Sequence, residues 1–162
     1  MYRVSFTGYR PEKLPFRRED DPRCVELKSR LSAQIEKLIK DGADEFFSGM
    51  ARGVDMWAAE AVLALKSAYP NIKLTAVIPC PEQADKWDAA DRERYRDILA
   101  RCDKKLITSP HYTSGCMQKR NRALVDMCDI LIAVFDGKPG GTANTVNYAK
   151  SGGRSTVVIE PV

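Results

Sequence analysis

The chain has 162 residues, 44% of them hydrophobic and 30% charged, and its 26 basic and 22 acidic side chains give a net charge of +4. That length suits a single domain with a sizeable core, no apolar run approaches the roughly 20 residues of a membrane span, and scattered cations at this balance mildly favour anionic ligands while arguing against nucleic acid as a partner. MYRVSFTGYR carries no apolar leader segment, which sets the expectation of a cytoplasmic protein, and the five cysteines (24, 80, 102, 116 and 128) show no CxxC or zinc-type spacing and read as reduced, mostly core-filling thiols.

In chain order, strand and helix patterns alternate. A strand over 3–7 is followed by a long loop, 8–23, with Pro11, Pro15 and Pro22; loops of this length in compact domains are often functional. Leu27, Leu31, Ile35, Leu38 and Ile39 form one apolar stripe on a helix over 24–40, with Gly42 fitting the position just past its end. A strand over 45–48 leads into a helix over 53–68, and a strand over 73–78 into a helix over 91–102. A strand over 105–108 leads into a helix over 116–128, a strand over 130–135 into a helix over 142–151, and a last strand spans 155–159. Continuously apolar strands such as LIAVF and TVVI suit a sheet covered on both faces. The expected fold is therefore α/β: a three-layer, Rossmann-like arrangement, with a mostly parallel sheet of about six strands and helices on both faces. One domain, 1–162, is expected.

Ligands of open parallel sheets bind beyond the carboxyl ends of the strands, so the residues after each strand are the candidates. They are Thr7, Gly8 and Arg10; then Ser48, Gly49, Arg52, Gly53 and Asp55; then Asp136, Gly137, Gly140, Gly141 and Thr142. Glycines permit sharp turns, and helix starts present free N–H groups to an anion. Arg52 either adds a guanidinium fork for phosphate or pairs with Asp55 across the helix start. Thr142 can cap its helix or bond a phosphate oxygen. On the helix over 116–128, Asn121 shares an inward stripe with Met117, Leu124 and Cys128, flanked by Arg120 and Arg122; either Arg120 and Asn121 rim the pocket, or the helix is a capped surface helix with solvated arginines. Gln83, Trp87, Asp91 and Tyr95 recur every four residues and would share one face of a continuous helix. There Trp87 is a base platform or a core residue, and Gln83 bonds a base edge. His111, the sole histidine, reads as solvated, and no metal set or cofactor is expected.

The blocks TGYRPEKL, SGMARGVDMWAAE, IPCPEQADKW, GCMQKRNR, LIAVFDG and GGTANTVNYA, in this order, resemble the YpsA-type branch of the SLOG superfamily over about residues 7–149. That superfamily includes the LOG phosphoribohydrolases and the DNA-processing protein DprA. The resemblance implies a Rossmann-like fold and a pocket for a nucleotide or nucleotide-ribose ligand, facing the residues from Thr7 to Thr142 named above. The LOG enzymes carry PGGxGTxxE; here Pro139-Gly140-Gly141-Thr142 continues through Asn144, Thr145 and Asn147 without a carboxylate. The expectation is accordingly a module that binds or senses a small nucleotide-derived ligand, at times as a homodimer. The alternatives are a nucleoside-monophosphate N-glycosidase, with Asp55 the best remaining carboxylate, and DprA-like nucleic-acid binding.

Overall fold

The computed structural model describes residues 2–162. Six strands, β1 (Tyr2–Gly8), β2 (Ala43–Ser48), β3 (Lys73–Ile78), β4 (Lys104–Ile107), β5 (Ile130–Val134) and β6 (Ser155–Ile159), form one wholly parallel sheet in the order β4-β3-β2-β1-β5-β6. The helices are α1 (Pro22–Lys40), α2 (Val54–Leu65), α3 (Ala89–Arg101), α4 (Cys116–Met127) and α5 (Gly141–Ser151), and a 3-10 turn spans Pro11–Lys13. Crossovers between parallel strands are right-handed. The chain moves outward from β1 to β4, then returns to β5 and moves the other way. That reversal puts α1, α2 and α3 on one face and α4 and α5 on the other, in line with their packing of α1 on α2, α2 on α3 and α4 on α5.

The strand period of two decides which side chains meet which layer. Phe46 faces α1 and α2 and stacks on Phe6, ring centroids 6.1 Å apart, whereas the next residue, Phe47, joins Val77 and Leu124 of α4 in a smaller cluster on the opposite face. The stripe Leu27, Leu31, Ile35 and Leu38 is buried along α1. Asp21 caps that helix by accepting from the Arg23 N–H, and Gly42, at φ 115°, turns the chain out of it. The cysteines are all free thiols, four of them buried. No helix among the described residues is long and apolar enough to cross a membrane.

One sequence expectation is corrected. Residues 81–87 are a succession of turns, and α3 begins only at Ala89, behind an Asp88 cap that accepts from the Asp91 N–H at 2.8 Å. The four-residue recurrence of Gln83, Trp87, Asp91 and Tyr95 is therefore not a helix face, because the cap interrupts it. The loop over 8–21 is well anchored: Leu14 and Phe16 are buried in the core. Glu19 joins Lys28 of α1 at 2.5 Å and Arg94 of α3 at 2.7 Å, and Arg94 in turn holds Glu60 of α2 at 2.6 Å. These pairs hold the Glu19 carboxyl down at about 2, Arg94 contributing most.

Candidate functional site

The reversal of chain direction falls between β1 and β5, whose outgoing connections leave to opposite faces. A crevice must open there, and this is where open α/β sheets bind ligands. It is a cleft of ≈ 360 Å³ lined by the end of β1 (Thr7, Gly8), the loop after it (Tyr9, Arg10, Glu12, Lys13), the β2–α2 junction (Ala51, Asp55), α4 (Met117, Gln118, Arg120, Asn121) and the start of α5 (Gly141, Thr142).

Arg120 is the organising side chain. It is 3% exposed, which decides against the alternative of a solvated arginine. Its Nη1 donates to the Gly49 carbonyl and, at 3.4 Å, to Gln83 Oε1; its Nε donates to Asn121 Oδ1 at 2.9 Å. A methyl group at Gly49 would stand 2.7 Å from the guanidinium carbon, so that glycine makes room for Arg120. Gln83 is buried and donates to the same Gly49 carbonyl at 3.2 Å and to Tyr95 Oη at 3.4 Å. Gln83 thus supports Arg120 from behind. Trp87 packs edge-on against Tyr95, centroids 5.2 Å apart, away from the cleft.

Asp55, in the first turn of α2, faces the cleft at 7% exposure. One carboxylate oxygen accepts from the Ala51 N–H at 3.3 Å, and Ser48 Oγ donates to the Asp55 carbonyl at 2.8 Å. Burial pushes its pKa up, against the opposing pull of Arg120, the Ala51 N–H and Arg10. The expected Arg52–Asp55 pair does not form. Gly53, at φ 87°, reverses the backbone between the two, and Arg52 turns outward to Glu12 Oε1 at 2.5 Å. The α2 start is closed from the other side as well, since the Val54 N–H donates to the Tyr9 carbonyl at 3.3 Å.

The α5 start is open. Gly140, at φ 152°, precedes it without a side-chain cap, so the first N–H groups of the helix have no partner within it and favour an anion. Lys13 reaches over this end: its ammonium lies 2.8 Å from where a Gly140 methyl would sit. Arg10 stands exposed on the adjoining wall.

Of the sequence candidates, the cleft gathers Thr7, Gly8, Arg10, Asp55, Arg120, Asn121, Gly141 and Thr142. Ser48, Gly49 and Gln83 stand behind it, Gly53 packs under Tyr9, and Arg52 and Trp87 point elsewhere. Asp136 accepts from the Tyr9 hydroxyl and from the Lys138 N–H at 3.0 Å, which hold its carboxyl low; it and Gly137 lie outside the cleft, exposed. The sequence reading missed Tyr9, Glu12, Lys13, Ala51, Met117 and Gln118. The length of the loop over 8–23 was the only signal for the first three. Among the described residues no group of three His, Cys, Asp or Glu side chains could hold a metal ion.

The family model described as the YspA SLOG family matches residues 4–155. The chain belongs to that family. A UPF0398 protein of Bacillus cereus strain G9842 is 33% identical over 153 residues, which cover 93% of this chain and 83% of the relative. Two solved structures share the fold of this SLOG chain. DNA processing protein A from Helicobacter pylori, described with a single-stranded DNA binding mode, superposes with a TM-score of 0.65 at 19% identity over 97% of this chain and 64% of its own. DprA from Streptococcus pneumoniae superposes with a TM-score of 0.63 at 18% identity over 97% and 50%. The SLOG chain thus spans between half and two thirds of those proteins. The expectation against nucleic acid is corrected by this likeness. Net charge sums the whole surface and does not say where the cations gather, so +4 overall was no ground for exclusion.

Proposed function

We propose that the cleft binds a nucleotide unit by its phosphate and sugar. The observation that carries this reading is the convergence, at the sheet's switch point, of a helix start without a side-chain cap, two exposed cations and a buried carboxylate. The phosphate sits against the first N–H groups of α5 and the Thr142 hydroxyl, with Lys13 and Arg10 as counter-charges. Asp55 and Asn121 take the sugar hydroxyls. Arg120 serves as the fixed cation beneath, neutralising Asp55 through space and aligning Asn121.

Binding is favoured over glycosidic cleavage because α5 carries Asn144, Thr145 and Asn147 where the phosphoribohydrolases carry a glutamate. Thr145 is spent on its own helix, donating to the Gly141 carbonyl at 2.9 Å. Free base released from AMP, and lost in Asp55→Asn, would overturn that preference. The likeness to DprA favours a second source for the same unit, a nucleotide within a single strand.

Calorimetric titration with AMP, ADP-ribose, NAD and a short single-stranded DNA tests the reading. Arg10→Ala should weaken whichever ligand binds by about 1.5–3 kcal/mol, the range of a charge-assisted bond. The reading fails if none of the four binds, or if Arg10→Ala leaves affinity unchanged.

A further inference from the structure

The cleft does not end at Asn121. A groove of ≈ 190 Å³ continues from it between α4 and α5 on the outer face of the sheet, sharing Gln118, Asn121 and Gly141 with the cleft and adding Arg122, Asn144 and Tyr148. Beyond it the surface falls into a shallower depression that still contains Arg122 and Tyr148 and adds Lys119. Tyr148 thus stands between the two, on the path leading away from the uncapped start of α5.

The Tyr148 side chain is held in place and left open. It is 37% exposed; its hydroxyl donates to Asp126 Oδ1 at 2.9 Å, and the Arg122 guanidinium lies 5.6 Å from the ring centroid. Aromatic side chains at the surface usually lose freedom when they stack on a ligand; here the tether at Asp126 has already removed much of it. Among the described residues Asp126 is the one carboxylate lining this path, and its Oδ1 is engaged by Tyr148. The other polar side chains on the path are chiefly the amides Gln118, Asn121 and Asn144 and the cations Lys119 and Arg122. Amides present paired donors and acceptors that match base edges, and an aromatic face flanked by cations is the composition of a single-strand binding surface.

We propose that the α4–α5 groove takes a second nucleotide unit, its base stacked on Tyr148 and the linking phosphate beside Arg122, so that the preferred ligand is two or more nucleotides joined by phosphodiester bonds. This rests on the cleft holding the first unit. The cations agree with it: Arg122 lines the groove and, with Lys119, the depression beyond it, and their charge is opposite to that of the phosphates. A mononucleotide would leave Tyr148 uncovered.

The test is a length series measured by calorimetry at fixed salt: thymidine 5′-monophosphate, the dinucleotide pTpT and a thymidine hexanucleotide. The wild-type protein should gain about tenfold or more in affinity from the first to the second, the effect of one added stacked base. Tyr148→Ala should abolish that step and leave the mononucleotide affinity as it was, while Tyr148→Phe, which keeps the ring, should retain most of it. Arg10→Ala should weaken all three ligands alike. A hexanucleotide that binds more tightly than pTpT identifies a strand as the source, and equal affinity identifies a two-unit ligand. The proposal is overturned if the monophosphate and pTpT bind equally, or if Tyr148→Ala leaves the step intact. Binding of the monophosphate without a step sinks the groove alone; absence of binding by all three sinks the cleft as well.

Discussion

The two glycine-rich junctions, Ser48–Gly53 ahead of α2 and Gly137–Thr142 leading into the first turn of α5, look alike as strings of residues, and the structure uses them in opposite ways. At the first, the glycines are filled by the protein itself. Arg120 occupies the space over Gly49, the Tyr9 carbonyl closes on Gly53, and Arg52 is drawn off to Glu12. At the second, nothing lies within 4 Å of a methyl group placed on Gly137 or Gly141, and over Gly140 stands only the end of the Lys13 side chain. A glycine beside a helix start therefore has two uses, admitting a neighbour or admitting a ligand, and only the surroundings say which.

The sharpest way to break this comparison is to empty the first junction. Arg120→Ala removes a buried cation that satisfies the Gly49 carbonyl and balances Asp55, and should cost about 3–5 kcal/mol of stability, as other broken buried charge arrangements do. Urea denaturation measures it; a cost below 1 kcal/mol would mean that Arg120 is not holding the junction together. Next come the paired glycine variants. Gly53→Ala forces a left-handed φ of 87° on a residue with a side chain and drives that methyl to 2.7 Å from the Tyr9 carbonyl, so about 1–3 kcal/mol should be lost. Gly141→Ala meets open space and should stay within about 0.5 kcal/mol of wild type. Equal losses at the two sites would erase the distinction.

Smaller effects sharpen it. The Glu19 carboxyl, held at about 2 against an ordinary 4.5, contributes stability that is present above pH 4.5 and is lost as pH falls through 2. Glu19→Gln should therefore melt below wild type at neutral pH. The gap should close steadily between those two values, and because the side chain is 45% exposed its size should stay at about 1 kcal/mol or less. A gap that does not change with pH would detach the anchoring of the loop over 8–21 from this charge. Smallest is Arg52→Ala. The Arg52–Glu12 pair lies at the surface, with Glu12 60% exposed, so stability should fall by about 0.2–1 kcal/mol. Nucleotide affinity, measured beside Arg10→Ala, should barely move. A loss matching that of Arg10→Ala would return Arg52 to the ligand and make the two junctions equivalent after all.

Local pattern alone determined a good deal of this protein. Apolar runs in strands and the apolar stripe of α1 report which faces are buried, and that information is written in neighbouring residues, so the alternation of six strands and five helices and the parallel, doubly covered sheet were legible before any coordinates. So was the rule that candidate residues follow the strands, which brought Thr7, Arg10, Asp55 and Thr142 of the cleft into view, while Asn121 came from the pattern of the helix over 116–128. The family motifs added the resemblance that the match over residues 4–155 bears out. What only the tertiary structure decided were the pairings between residues far apart in the chain. Arg120 lies 71 residues from the Gly49 carbonyl it binds, and Arg52 lies 40 from Glu12. Spacing along the chain suggested Arg52 with Asp55 and Gln83 with Trp87, because residues three or four apart are neighbours on a helix. A left-handed glycine removed the first pair, and the turns over 81–87, ahead of the Asp88 cap, removed the second. Burial of a polar side chain depends on what packs over it from other elements, and for that reason the functional side of each junction could be seen only once β1, α4 and α5 had met.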